Sequence, residues 1–133
     1  MAFVDSSQDI IMYTYQNVQY IWRVTTLWRF SNNKTSKLIE INQLSRYLEE
    51  DRWFGNHTKP TLENLLLHFD RILKSDLSYP LILSPNEDIL DGIHRVAKAM
   101  LFKEKKLKII KLNELPPSDY ASIEEVINKK LTQ

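Results

Sequence analysis

The chain has 133 residues, a net charge of +1, and 43% hydrophobic and 26% charged residues, which is typical of a folded globular protein rather than a disordered one. It contains no cysteine, so a disulfide framework, a thiolate nucleophile and cysteine-ligated zinc are excluded. No segment reaches the ~20 apolar residues of a membrane span, and a nearly neutral charge disfavours nucleic acid as a partner. We therefore expect a cytoplasmic protein that does not bind the membrane.

The first part of the chain divides into an N-terminal arm, residues 1–19, and the start of a single domain, residues 20–133. The arm mixes aromatic and β-branched residues without a clean period. Apolar residues at helical spacing then predict a helix over residues 20–30: Ile21, Val24, Leu27 and Trp28. Alternation over residues 37–42 predicts a short strand, which a short helix and an irregular loop follow over residues 43–59.

A second helix is predicted after Pro60, with Thr61 as its N-cap. Its apolar residues share one face: Leu62, Leu65, Leu66, Phe69, Ile72 and Leu73. The short apolar run at residues 81–83 predicts a buried strand, and a hairpin turn at residues 85–88 leads into a further strand at Ile89 and Leu90.

The most informative segment is Asp91-Gly92-Ile93-His94-Arg95, where a strand ends and a helix begins. The helix has an apolar stripe at helical spacing: Ile93, Val96, Ala97, Met100 and Leu101. A strand follows over residues 107–112, and Ser122 with Glu125 forms a capping box for a last helix. This order of elements predicts an α+β fold in which helices cover a small mixed β-sheet.

The turn at Gly92 has the features of an anion site. A helix N-terminus presents unpaired N–H groups and the positive end of a dipole. Gly92 permits a sharp turn and a close approach of a ligand, while His94 and Arg95 add side-chain donors. Lys98 lies one turn further on, where it either reaches the same phosphate or remains an ordinary exposed lysine. Without a ligand, the same residues describe only a solvated helix start.

The segment resembles the signature of the ParB/sulfiredoxin-like superfamily, in which a turn of this type binds the phosphates of a nucleotide. The resemblance extends over roughly residues 20–120, to small bacterial proteins described as ParB-like, through Trp53-Phe54, Pro60-Thr61, His68, Arg71-Ile72, Asp76-Leu77, Tyr79–Leu83 and Asp91–Arg95. It implies a ParB/sulfiredoxin-like fold with a nucleotide site. Sulfiredoxin chemistry is excluded, because Ile93 stands where that activity needs a cysteine.

Four further residues have two interpretations each. Asp91 either caps the following helix or acts as a catalytic carboxylate that holds a metal ion or accepts a proton. Trp53 and Phe54 either cover the core or form the wall of a nucleotide pocket. His68, on the border of an apolar helix face, either binds a backbone carbonyl or belongs to the same pocket. The histidines do not have the spacing of a metal site.

These observations predict a stand-alone nucleotide-phosphate-binding domain that acts as a sensing or interaction module. A phosphotransferase or nucleotide hydrolase that uses the same turn is the alternative, and a nuclease is the third. The expected cofactor is ATP, ADP or another nucleotide with Mg²⁺. Besides the nucleotide, a protein partner or a second copy of the chain is compatible with the sequence.

Overall fold

The computed structural model describes residues 9–55 and 58–131 and has a mixed α+β fold, which confirms the predicted class. It contains a two-stranded sheet and a mixed four-stranded sheet. The elements in chain order are β1 (Ile10–Tyr15), β2 (Val18–Arg23), α1 (Val24–Ser31), β3 (Lys37–Glu40), a 3₁₀ helix (Ile41–Glu49), α2 (Leu62–Lys74), β4 (Leu81–Leu83), β5 (Ile89–Asp91), α3 (Ile93–Leu101), β6 (Lys106–Lys111) and α4 (Ile123–Leu131).

Three pairs of strands are antiparallel. β1 pairs with β2, and Tyr13 lies opposite Tyr20. In the four-stranded sheet the order is β3-β6-β4-β5. β3 pairs antiparallel with β6, and β4 pairs antiparallel with β5 across a register irregularity at Ile82 and Leu83. The turn that joins β4 to β5 is the one predicted at residues 85–88.

The described chain divides into two units. Unit 1 comprises residues 36–55, 58–81 and 92–110, and unit 2 comprises residues 9–35, 82–91 and 111–131. Leu81 and Leu107 are fully buried in unit 1, whereas Ile21, Trp22 and Leu27 are fully buried in unit 2. Among the described residues, no helix combines the length and the apolar character that crossing a bilayer requires.

The N-terminal region differs from the sequence prediction. The predicted arm of residues 1–19 contains β1, and its first eight residues lie outside the described part of the chain. The helix expected from Tyr20 begins at Val24, because Tyr20–Arg23 belongs to β2. Gln16 and Asn17 join the two strands with φ of +51° and +66°, the conformation of a tight hairpin turn.

The predicted starts of α2 and α4 are confirmed by the hydrogen bonds that cap them. Thr61 Oγ1 accepts a hydrogen bond from Asn64 N at 3.2 Å, as an N-cap should. At α4, Ser122 Oγ accepts from Glu125 N at 3.3 Å, and the Glu125 carboxylate accepts from Ala121 N at 2.7 Å. Both helices therefore begin where short polar side chains satisfy their first N–H groups.

Replacing Thr61 with alanine is expected to destabilise unit 1 by about 1 kcal/mol, because the N–H group of Asn64 loses its acceptor. The change should appear as a lower midpoint in urea unfolding with an unchanged slope. Thr61→Ser keeps the hydroxyl and should leave the midpoint within experimental error. Equal losses in the two variants would contradict a capping role.

The apolar face predicted for α2 is present, but of the six apolar residues on it only Ile72 is buried. The other five are 45–71% exposed: Leu62, Leu65, Leu66, Phe69 and Leu73. The helix packs in unit 1 through the neighbouring face, on which His68 and Ile72 lie.

Candidate functional site

The start of α3 has the backbone geometry that the sequence predicts. Gly92 is the N-cap residue and has φ +114° and ψ +15°, in the left-handed region that favours glycine. Val96 N donates the first intrahelical hydrogen bond, to Gly92 O at 3.1 Å. The N–H groups of Ile93, His94 and Arg95 precede that bond and therefore have no intrahelical acceptor. The positive end of the α3 dipole lies at these groups.

Protein atoms occupy the space beside Gly92 that a side chain would need. A Cβ built on Gly92 would lie 2.5 Å from Leu81 Cδ2 and 2.9 Å from Arg95 Nη2. The Arg95 guanidinium folds back against the turn, where Nη2 donates to Pro80 O at 3.0 Å. The glycine thus admits the side chains of Leu81 and Arg95 on this side of the turn.

Lys98 links the two helices of unit 1. Its ammonium donates to Leu73 O at 2.9 Å and to Ser75 O at 2.7 Å, at the C-terminal end of α2. A cation at this position neutralises the negative end of the α2 dipole and satisfies carbonyl groups that lack helical donors. Lys98 therefore has a structural role that neither of its two sequence interpretations included.

His68 and His94 form a hydrogen-bonded pair between α2 and α3. His68 Nδ1 lies 2.9 Å from His94 Nε2, and the planes of the two rings are almost parallel, with an interplanar angle of 9°. Such a bond needs one ring nitrogen to carry a proton and the other to be free of one, so two neutral imidazoles satisfy it. The pair is incompatible with a proton on both facing nitrogens.

Trp53 covers this histidine pair. Its indole stacks on His68 with 4.5 Å between ring centroids and on His94 with 4.9 Å, both at 10°. Phe54 meets His68 edge to face, and Asp51 orders the loop by accepting from Phe54 N at 2.9 Å. Trp53 Nε1 is buried and has no hydrogen-bond partner among the described residues. The two aromatic residues are thus ordered by contact with the histidines.

The charges around His94 are positive. The pKa of His94 is lowered to about 4, chiefly by burial and then by His68, Arg71 and Arg95, which repel a proton on the ring. The pKa of His68 is also lowered, by burial and by Arg71. At neutral pH both rings are therefore uncharged, while two guanidinium groups contribute positive potential at the first turn of α3.

Asp76 lies close enough to Lys98 and Arg95 for both cations to act on its carboxyl group. Hydrogen bonds from the side chain and backbone of Ser78 lower the pKa of Asp76, and Lys98 and Arg95 lower it further. The carboxylate is therefore ionised at neutral pH.

Asp91 is described in unit 2. Its Oδ2 accepts a hydrogen bond from Trp28 Nε1 at 2.8 Å, and that contact is exposed to solvent. This hydrogen bond fixes the orientation of the Asp91 carboxylate relative to Trp28 of α1. The catalytic and capping interpretations of Asp91 both stay predictions.

In unit 1 the structure brings together Trp53, Phe54, His68 and His94, which the sequence had only proposed as separate members of a site. Arg71 was missed as a member. It follows His68 by three residues on the helix, a spacing that places two side chains on one face and could have indicated it. A separate surface depression of about 470 Å³ is lined by Glu40, Ile41, Asn42, Glu104, Lys105 and Lys106, none of which had been predicted as site residues.

No family model matches the chain, and neither a curated protein nor a solved structure shows a detectable similarity to it.

Proposed function

We propose that unit 1 binds the phosphate groups of a nucleotide at the first turn of α3 and acts as a sensing or interaction module. The observation that carries the proposal is the positive environment of His94, to which Arg71 and Arg95 contribute at the start of a helix. Phosphate is attracted by such a helix start through backbone N–H groups and through the helix dipole.

The conformation of Gly92 supports the same proposal. A left-handed residue at the N-cap turns the chain sharply out of the preceding strand and into α3. The N–H groups of the first turn have no acceptor from within the helix and point toward the N-terminal end of α3, the direction from which an anion would approach. The guanidinium of Arg95 lies against this turn and adds positive charge there, although its Nη2 atom already donates to Pro80 O.

Trp53 supports the presence of a ligand acceptor near the histidines. An indole N–H that is buried without a partner costs roughly 1–3 kcal/mol, which a phosphate or ribose oxygen would recover on binding. Trp53 already stacks with His68 and His94, so the ring is held in place before binding. The ParB/sulfiredoxin-like resemblance of the DGxHR segment supports a nucleotide as the source of the phosphate, and we propose that fold for the domain.

A thermal-shift measurement tests this function. Inorganic phosphate, pyrophosphate, ADP, ATP and CTP are added at millimolar concentration, each with and without Mg²⁺. A nucleotide present at ten times its dissociation constant stabilises the folded chain by about 1.4 kcal/mol, which corresponds to a rise of a few °C in Tm.

Arg71→Ala should weaken nucleotide binding about tenfold, because it removes a cation near the first turn of α3.

Arg29→Ala is the matched control, since it removes the same charge from an exposed position on α1 in unit 2. It should leave the affinity unchanged. Binding should also raise the pKa of His94, because a nearby anion favours the protonated ring. The proposal is wrong if none of these anions raises Tm, or if binding leaves the titration of His94 unchanged.

A further inference from the structure

The β1–β2 hairpin lies in unit 2 and is a second candidate for function, independent of the phosphate site in unit 1. Residues of an antiparallel strand send their N–H and C=O groups alternately toward the partner strand and away from it. Val24 N donates to Asp9 O at 2.9 Å, at the position that continues the register of the hairpin. Every second residue after Asp9 therefore bonds to β2. The residues between them point their backbone groups outward, and we call these groups the β1 edge: Ile10, Met12 and Thr14.

The outward backbone groups of β2 show the same alternation and are satisfied within unit 2. Ile21 N donates to Ser118 Oγ at 2.8 Å, and Ile21 O accepts from Asp119 N at 2.9 Å. Arg23 N donates to Asp119 Oδ2 at 2.9 Å. The chain that follows β6 thus covers the outer edge of β2, and only the other side of the hairpin is left for a further contact.

The β1 edge has no such cover in the part of the chain that the structure describes. None of the described residues hydrogen-bonds to its outward N–H and C=O groups, and Met12 and Thr14 are exposed. Backbone donors and acceptors that alternate along an extended chain are complementary to another extended chain, which can bond to all of them in a ladder. The chemistry of the β1 edge therefore specifies a β-strand as its partner.

The sequence of β1 also lacks the features by which edge strands avoid pairing. It reads Ile-Ile-Met-Tyr-Thr-Tyr, with no proline, glycine or charged residue, and its register with β2 contains no bulge. The edge strands of the four-stranded sheet differ from it. β3 carries Lys37 and Glu40, and β5 has only three residues and ends on Asp91. Charges and short length protect those two edges, whereas nothing in β1 opposes the addition of a strand.

We propose that the β1 edge is a dimer interface, at which β1 of a second copy of this chain adds in antiparallel orientation and the two hairpins form one four-stranded sheet. The ladder requires that outward residues pair with outward residues. A register centred on Met12 meets this condition over the whole of β1. It pairs Met12 with the partner subunit's Met12, and Ile10 with the partner subunit's Thr14.

The side chains of β1 are compatible with this self-pairing. In the same register Ile11 lies opposite the partner subunit's Tyr13, a pair of β-branched and aromatic residues of the type that stabilises sheets. The interface is two-fold symmetric, so every such pair occurs twice. The antiparallel orientation also keeps the two Asp9 carboxylates at opposite ends of the interface. A parallel pair would place these like charges side by side, which is unfavourable.

The small size of the interface sets the expected affinity. Each backbone hydrogen bond replaces bonds to water, so its net contribution is modest. A single strand edge also buries less than the roughly 800 Å² per partner of a standard protein interface. We therefore expect a dissociation constant of about 10–100 μM, and a protein whose dimerisation depends on its concentration.

Sedimentation velocity over a range from about 1 μM to about 1 mM tests the interface. The wild-type chain should change from monomer to dimer as its concentration rises. Met12→Pro removes an outward N–H group from the centre of the ladder in each subunit and should weaken dimerisation at least about tenfold. Since Met12 N does not bond to β2, the hairpin keeps its own hydrogen bonds. Met12→Val keeps the N–H group and is the matched control, which should dimerise like the wild type.

A charge at Met12 tests the register, and the 50% exposure of this side chain allows the monomer to accept one. Met12→Lys places two ammonium groups opposite each other and should weaken dimerisation about fivefold. A mixture of Met12→Lys and Met12→Asp chains should dimerise at least as well as the wild type, because opposite charges then face each other. Val18→Lys should change nothing, since Val18 is 51% exposed but lies on β2. An unchanged Tm shows that each variant is folded.

Dimerisation that is lost in Met12→Pro, kept in Met12→Val and recovered in the mixture of charged variants identifies the β1 edge as the interface. A chain that stays monomeric at about 1 mM would overturn the proposal and leave a strand of another protein as the partner of this edge. A dimer that Met12→Pro and Met12→Lys leave intact would also overturn it, because it would use a different surface. Failure of the mixture to recover would overturn the register centred on Met12.

Discussion

Replacing Gly92 with alanine is expected to reduce the free energy of unfolding by about 3 kcal/mol, through two separate costs. The residue has φ +114°, a conformation that costs an L-residue on the order of 1–2 kcal/mol. The new Cβ would also lie 2.5 Å from Leu81 Cδ2 and 2.9 Å from Arg95 Nη2, and relieving such overpacking costs roughly 1–3 kcal/mol. Urea unfolding followed by circular dichroism measures the loss.

Gly55→Ala separates the two costs. Gly55 also has a positive φ, +144°, but the nearest atom to its Cβ position is Asp51 Oδ2 at 3.9 Å, an ordinary contact. This variant should therefore lose only the backbone contribution, about 1–2 kcal/mol. If the two alanine variants lose the same stability, the close approach of Leu81 and Arg95 does not restrict Gly92, and the proposed packing of this turn is wrong.

Local signals in the sequence predicted the starts of α2, α3 and α4 well. Thr61, Ser122 with Glu125, and Gly92 are each short or flexible residues whose chemistry suits one position at a helix end. The interactions that they make lie within a few residues along the chain. Such features depend little on the rest of the fold, and so they can be predicted from a single sequence.

The boundary between β2 and α1 could not be predicted in the same way. Ile21, Val24 and Leu27 have helical spacing, and all three are buried, yet Ile21 belongs to a strand. Periodicity reports only which residues are buried, and a strand that runs directly into a helix can bury residues at the same intervals. The hairpin turn at Gln16 and Asn17, which pairs β2 with β1, decides the conformation.

The apolar face of α2 shows a second limit of sequence reasoning. The amphipathic pattern correctly indicated a helix, but it could not indicate which molecule covers the apolar side. Burial against the chain's own core and burial against a partner select the same residue types. The structure removes this ambiguity for Ile72, which is buried, and leaves Leu66 and Phe69 exposed.

The candidate site was predictable in its parts but not in their arrangement. Trp53, His68 and His94 are distant along the chain, and their stacking depends on how α2 and α3 pack. The bonds that Arg95 and Lys98 donate to backbone carbonyls depend on the same packing. Sequence can identify a donor at a helix start, but the carbonyl groups that it reaches are set by the tertiary fold.

The stability of the chain is expected to fall as the pH is lowered from about 6.5 to about 4, because of His94. The pKa of His94 is lowered from 6.5 to about 4 in the folded chain, chiefly by burial and then by His68, Arg71 and Arg95. Between these two pH values the unfolded chain binds a proton on this residue and the folded chain does not. Acid therefore favours unfolding in that interval, while above pH 6.5 the stabilising contribution is fully present.

The size of the effect follows from the shift. One pKa unit corresponds to about 1.4 kcal/mol, but the ring is partly exposed, and solvent screening reduces the effect of the neighbouring charges. We therefore expect a loss of about 2 kcal/mol between pH 6.5 and pH 4. His68 acts in the same direction, since its pKa is also lowered, but the two rings share a hydrogen bond and titrate as a pair.

Comparison with His94→Gln isolates this contribution. Glutamine keeps a hydrogen-bonding group beside His68 but does not titrate, so the free energy of unfolding should depend less on pH by about 2 kcal/mol across the same interval. The acidic residues Asp76 and Glu125, whose pKa values are lowered, lose their stabilising contributions at lower pH in both proteins, and the comparison cancels them. An NMR titration of the imidazole C2 proton measures the pKa of His94 directly. A midpoint near 6.5, together with parallel stability curves for the two proteins, would show that burial under Trp53 does not keep the pair neutral.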